Sequence, residues 1–197
     1  MIGGEKMLSL KKKKMSLTDV CSQALKQEVP EEIVKESIGI LGSNEFRRTV
    51  FILARMSKPN IVIETGADDI ITTKAVVRAL KKNNNGHVWS VRENRKGKRL
   101  KNETRIYWTL KYFPIENALE GFELSFRSID MYISNKARKK EEMLREMEWA
   151  EMMDAKIIVM NDVFKNKAFM KFTKNKEAYI LENDIGVIVL EKKHKWL

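Results

Sequence analysis

The chain has 197 residues, 43% of them hydrophobic and 33% charged, with 38 Lys and Arg against 27 Asp and Glu. That composition describes a chain able to bury a core rather than a disordered one, and no apolar run approaches the ~18 residues of a membrane-spanning helix. The net charge of +11 favours polyanions through counterion release, while the lone Cys21 and two histidines, His87 and His194, exclude an internal disulfide and an all-Cys/His zinc site.

Residues 1–15, with KKKK at 11–14, read as a flexible basic lead-in. No apolar segment of signal-peptide length follows it, so a cytoplasmic location is expected. Ser16 or Thr18 then caps a helix carrying Val20, Ala24 and Leu25. Pro30, Glu31 and Glu32 open a second helix, where the missing amide and the helix dipole favour them, and Gly42 ends it. Phe46, Val50, Leu53 and Ala54 recur at helical spacing in a third. Residues 16–58 are thus expected as a helical cap on an α/β core at 59–197, the two forming a single domain.

From residue 61 the rhythm changes to a strand at 61–64, a helix at 70–82, the turn NNNG and a strand at 87–91. The charged segment RENRKGKRLKNETR leads to a third strand at 106–113, a short helix after Pro114 and a fourth strand at 128–134. The next helix, 138–153, places Met143, Leu144, Met147, Ala150 and Met153 on one side and charges on the other. A continuous apolar run at 156–160 is a strand covered on both faces, and AYILENDIGVIVLEKK is a hairpin. The pattern predicts a three-layer α/β/α sandwich whose sheet is parallel apart from its last strand.

The turn ETGADD at 64–69 joins the first of these strands to its helix. A pyrophosphate resting on that helix start would meet Asp68 and Asp69, each opposing it by about 3 kcal/mol at ~5 Å and an effective dielectric of ~20. S-adenosylmethionine carries a sulfonium and an ammonium and no phosphate, so it suits the acids better. Asp68 has a second reading as a helix cap. Glu64 and Gly66 place a carboxylate at the strand end and an open backbone beside it.

The stretch NIVIETGADDIITTKAVVRALKKNNNGHVWSV resembles the first motif and second strand of class I SAM-dependent methyltransferases, in particular the small O-methyltransferase-like group. The block SIDMYIS, followed by EEMLREMEWAEMMDAKIIVMNDVFKNKAF, is similar to that group's fourth strand, helix and fifth strand. The resemblance implies a Rossmann-like sheet in the order 3-2-1-4-5-7-6, with ligand at the carboxyl ends of strands one, two and four. It also implies S-adenosylmethionine as cofactor, contacted by Glu64, Thr65, Gly66, Ala67 and Asp68, with Tyr112 and Phe113 in position to stack on adenine.

This chain departs from the group's pattern at several of these positions. Ile70 stands where another glycine is usual, where it either crowds the cofactor or tightens helix packing, and Arg92 where an acid usually accepts from the ribose hydroxyls. An arginine has no acceptor, so that work falls to Glu93, provided the strand end twists. The group's D-x-x-H after strand four is replaced by Ser134, Asn135, Lys136 and Ala137. Asn161 and Asp162 keep the polar exit of strand five. With Asn135 they offer a single negative charge, little for a tight magnesium site.

Methyl transfer asks for in-line placement and, for a protonated nucleophile, a base. Asp162 is the first candidate base and Lys136 the second. The leading expectation is O-methylation of a small hydroxylated or sugar-like acceptor. The alternative is a binding protein on the same fold that has lost catalysis and associates with nucleic acid through a basic strip of Arg92, Arg95, Lys96, Lys98, Arg99 and Lys101. The helical cap and the Met-rich helix offer a surface for a homodimer.

Overall fold

The structure, a computed structural model, describes residues 14–68, 70–93, 100, 104–136, 139–165, 167–181 and 183–190. Three helices come first after a short strand β1 (Lys14–Met15): α1 (Leu17–Leu25), α2 (Glu31–Leu41) and α3 (Glu45–Ser57). Local chemistry sets their starts. Ser16 accepts from the Asp19 amide ahead of α1, and Asn44 accepts from the Arg47 amide ahead of α3.

Strands and helices then alternate: β2 (Ile61–Thr65), α4 (Ile71–Asn83), β3 (His87–Arg92), β4 (Trp108–Tyr112), α5 (Ile115–Ser125), β5 (Met131–Ser134), α6 (Lys140–Met152) and β6 (Ile157–Met160). The last described elements are α7 (Ala168–Phe172), β7 (Glu177–Leu181) and β8 (Gly186–Val189). The eight described strands form one sheet in the order β1-β7-β8-β6-β5-β2-β3-β4. Counted from β2, this is the expected order 3-2-1-4-5-7-6. Among these strands only β8 runs against its neighbours, β6 and β7.

Two apolar layers explain why both sides of the strands are hydrophobic. On one face Val62, Val88, Met131 and Ile133 share a core with Val20 of α1, Val50 and Leu53 of α3, and Val76 and Leu80 of α4. The N-terminal helices α1 and α3 therefore complete the layer that α4 begins. On the other face Ile63, Val91, Tyr132 and Ile158 pack with Phe122 of α5, Met143, Met147 and Trp149 of α6, and Phe169 of α7. Trp149 is a packing residue, with its ring 5.8 Å from Tyr132 and 6.5 Å from Phe122.

Three local features differ from the sequence expectation. Lys14 and Met15, assigned to the flexible lead-in, pair in parallel with Ile180 and Leu181 and extend the sheet at β7. The short helix α7 is an additional element between β6 and β7. Glu146, grouped with the outward charges of α6, is 2% exposed. It follows Met143 at i+3, so helical geometry puts it on the same inward stripe.

Candidate functional site

The backbone ladder of three adjacent strands, β2, β5 and β6, continues one residue past the carboxyl ends of β5 and β6. Asn135 N donates to Thr65 O at 3.1 Å, and Asn161 N donates to Ser134 O at 3.0 Å. The exits of β2, β5 and β6 therefore lie side by side, and they form the floor of a cleft of 290 Å³. Gly66, Asp68 and Thr72 line it from the β2–α4 turn, with Asn135 and Lys136 from the β5 exit and Asn161 from the β6 exit. The first turn of α3 closes it with Asn44, Phe46 and Arg47.

Gly66 is needed for both its conformation and its lack of a side chain. Its φ is +70°, and a Cβ there would stand 2.7 Å from Lys136 Cβ. Its open side is therefore seated against the β5 exit, which brings Lys136 over the turn. The Lys136 ammonium reaches Asp68 Oδ2 at 3.3 Å, and both side chains are about half exposed. Asp68 is thus the turn's partner for Lys136, and α4 has no side-chain cap.

Glu64 is fully buried and is held by hydroxyls: Thr73 Oγ1 donates to its Oε2 at 2.7 Å and Ser90 Oγ at 2.6 Å. Trp108 Nε1 in turn donates to Ser90 Oγ at 3.1 Å. Thr65, the next residue, faces the opposite layer, as strand alternation requires. There Tyr132 OH, Ser134 Oγ and Thr65 Oγ1 lie 2.7, 3.0 and 3.1 Å from Glu146 Oε2 and donate to it. The turn is consequently anchored from both faces of the sheet. Ala67 is buried, and its amide donates to Val91 O at 3.4 Å.

Arg92 alters the picture drawn from sequence. It is 1% exposed, and its Nε and Nη2 donate to Ala67 O at 2.9 and 2.6 Å. The guanidinium fastens the turn, so Arg92 does not belong to a solvated basic strip. Strand alternation decides this, because Arg92 shares its face with Val88 and Ser90. Arg95, Lys96, Lys98, Arg99 and Lys101, like Asp69 and Ala137, lie outside the described residues. Glu93 is exposed at the end of β3.

Ile70 has φ 58° and ψ −7°, a left-handed conformation that suits glycine, and is 2% exposed. Its side chain joins the α3–α4 core, which offsets a backbone strain of about 1–3 kcal/mol for a β-branched residue. The position keeps a glycine-like backbone while using its side chain for packing.

The remaining candidates sit apart from the cleft walls. Asp162 adopts φ 57°, and its Oδ2 accepts from Lys165 Nζ at 2.9 Å. Its own amide donates to Asn161 Oδ1 at 3.1 Å, so Asp162 lies one residue beyond the wall that Asn161 forms. Among the described residues no group of three or more His, Cys, Asp or Glu side chains is placed to hold a metal ion. Phe113 is 50% exposed and lines a separate groove of 330 Å³ with Trp89, Phe122 and Phe126, between α5 and the β3–β4 edge. Tyr112 is half-buried at the end of β4.

Sequence reading did not single out Thr73, Ser90, Trp108, Tyr132, Glu146 or Arg47. Spacing carried some signal. Thr73 lies in the first turn of α4, the helix that the strand exit feeds, and Ser90 alternates with Trp89 toward the Glu64 face. Arg47, in the first turn of α3, meets the cleft only through tertiary packing.

A sheet in this order, with its single reversed strand and a glycine turn after its central strand, has the fold of class I SAM-dependent, O-methyltransferase-like proteins. The chain is similar in structure to an O-methyltransferase from Bacillus cereus in complex with S-adenosylhomocysteine, at 11% identity and a TM-score of 0.54, covering 88% of this chain and 98% of that one. It is similar to TomG from Streptomyces achromogenes, an O-methyltransferase of tomaymycin synthesis in complex with SAM, at 12% identity and a TM-score of 0.55, covering 93% of each chain. A methyltransferase from Geobacter sulfurreducens aligns at 14% identity and a TM-score of 0.58, over 87% of this chain and 88% of that one. No protein-family model matches the sequence, and no curated protein matches it.

Proposed function

We propose that this protein is a SAM-dependent methyltransferase that methylates a hydroxyl of a small, hydroxylated acceptor. The observation that carries the reading is the side-by-side exit of β2, β5 and β6 into one polar cleft above Gly66, on a fold of which two of the neighbours named above are in complex with S-adenosylhomocysteine or SAM.

The residues suit the amino-acid end of the cofactor. Asp68 offers a carboxylate to its ammonium, and Glu64, Thr65, Gly66 and Ala67 form a turn already fixed by Ser90, Glu146 and Arg92. The ribose end is arranged differently from the family pattern. Arg92 has only donors, two of which go to Ala67 O, so the diol's acceptor in this reading is Glu93. Tyr112 and Phe113, which stand outside the cleft wall at the end of β4, are the residues this reading offers to adenine. Bound S-adenosylmethionine supplies an electrophilic methyl group. The chain's part is to hold an acceptor oxygen between Asn135 and Asn161, with two candidate bases for its proton: Asp162, which stands one residue beyond the cleft wall and would have to leave Lys165 to reach it, and Lys136 on the wall itself. Asn161 and Asp162 remain the residues to which a divalent ion would add.

Calorimetric titration with S-adenosylmethionine and S-adenosylhomocysteine tests the reading, with Gly66→Arg as the blocked control and circular dichroism to check its folding. Low-micromolar binding that the control loses is the expected result. No binding at millimolar ligand would overturn it. That outcome would favour the second reading, a non-catalytic binding protein, which the Arg92–Ala67 contact at the ribose position and the Asp68–Lys136 bridge over the turn both support.

A further inference from the structure

We infer that the groove between α5 and the β3–β4 edge is a second binding site, for a planar aromatic carboxylate whose ring lies against Trp89, Phe122 and Phe126 and whose charge meets Lys111. The groove shares no lining residue with the cleft above Gly66, so the inference stands apart from the methyltransferase reading.

Strand alternation and one helix build the groove. Lys111 pairs in register with Val91, and Trp89 lies two residues before Val91, so both side chains stand on the sheet face that α5 covers. β4 is the edge strand of the described sheet, and α5 packs inward of it, over β3. The face of β4 beside the helix becomes the floor. Asn117, Gly121 and Ser125 recur every four residues along α5 and form the wall.

The shape suits a flat ring. Trp89 meets Phe122 and Phe126 edge to face, with centroids 6.2 and 5.5 Å apart, and an incoming ring extends that cluster in the geometry aromatic pairs prefer. The volume of 330 Å³ is that of a small-ligand site. Gly121 keeps it open. A Cβ built there meets no atom within 4 Å, and glycine weakens a helix interior relative to alanine, so neither close packing nor backbone geometry accounts for it. Its missing side chain leaves the middle of the wall free for a ligand.

Charge selects among flat rings. Of the described residues that line the groove, Lys111 alone is charged, and its Nζ lies 5.6 Å from the Trp89 ring centroid. Helical spacing puts Glu116, Glu120 and Glu123 on the other flank of α5. In sequence, residues 94–103 of the β3–β4 connection hold five bases against Glu103, so they bring no excess of negative charge. A carboxylate on a ring seated against Trp89 complements the Lys111 ammonium.

The test is calorimetric titration of the full chain with 2-naphthoate, the neutral 2-naphthalenemethanol and the non-planar anion cyclohexanecarboxylate. 2-Naphthoate should bind about tenfold tighter than either, with its margin over the alcohol shrinking as salt rises. Gly121→Leu puts a side chain into the open wall and should weaken 2-naphthoate about tenfold or more, while circular dichroism and Tm match the parent protein. Lys111→Gln should bring 2-naphthoate down to the affinity of the alcohol, and it decides the question if Gly121→Leu fails to fold.

Equal binding of the three probes, or none at millimolar concentration, overturns the inference. So does 2-naphthoate binding that survives both substitutions. Phe113 stands at one end of the groove, so the titration is repeated with saturating S-adenosylhomocysteine. Loss of 2-naphthoate binding there would make the groove the adenine end of the cofactor site and overturn a second site. Unchanged binding upholds it, and a protein that takes 2-naphthoate but no S-adenosylhomocysteine upholds it while sinking the methyltransferase reading.

Discussion

Polar groups at the carboxyl end of the sheet are held in two contrasting ways. Beneath the turn, Glu64 and Glu146 lie on opposite faces of β2, both buried, each accepting hydroxyl donors at 2.6–3.1 Å. At the rim, Asp68 and Asp162 each meet a lysine, Lys136 at 3.3 Å and Lys165 at 2.9 Å, with side chains a third to a half exposed on the acid's side. A buried carboxylate must recover its lost hydration from donors fixed by the fold, so removing it leaves those donors stranded. An ion pair open to water contributes only about 0–1 kcal/mol and exchanges readily for a ligand's charge. The floor is therefore expected to govern folding, and the rim, on the proposed reading, recognition.

The largest expected effect tests the floor. Glu146→Ala strands the hydroxyls of Thr65, Tyr132 and Ser134 inside the α6 layer and should lower unfolding free energy by about 3 kcal/mol in urea denaturation. Glu146→Gln keeps an acceptor oxygen and should lose about half as much. A Glu146→Ala loss below about 1 kcal/mol would show that the buried network does not support the turn.

Gly66→Ala comes next, at the seam between floor and rim. The substitution puts a Cβ at φ +70°, 2.7 Å from Lys136 Cβ, so the β5 exit must move. A loss of about 1–2 kcal/mol is expected, together with weaker S-adenosylhomocysteine binding. Unchanged stability with unchanged binding would mean that the seat of Lys136 on the turn is unimportant.

The order of legibility along the chain follows the same division. The strands and their covering helices could be read from sequence because apolar runs such as IIVM and the stripe Phe46, Val50, Leu53 report burial directly, whereas the strand order came from the resemblance to the methyltransferase group. The turn could be read too, since Gly66 and its neighbours are contiguous. What could not be read depends on side chains that meet across 12 to 81 positions, as Glu146 meets Ser134 and Thr65. Charge misled at Glu146 and Arg92, whose positions in the periodic pattern place them inward despite their polarity. Arg47 adds a layer-to-layer contact, for which a local pattern carries no signal.

The smallest stability effect, and the sharpest contrast, comes from making the same chemical change at the rim. Asp68→Asn converts a carboxylate to an amide, as Glu146→Gln does, but at a side chain about half exposed. Water can hydrate both the new amide and the released Lys136 ammonium, so unfolding free energy should shift by less than about 1 kcal/mol. Ligand binding should respond in the opposite proportion. S-adenosylhomocysteine loses the carboxylate facing its ammonium and should weaken by about tenfold. A stability loss as large as that of Glu146→Gln would place the Asp68–Lys136 bridge among the folding contacts. An unchanged S-adenosylhomocysteine affinity would remove Asp68 from the cofactor site.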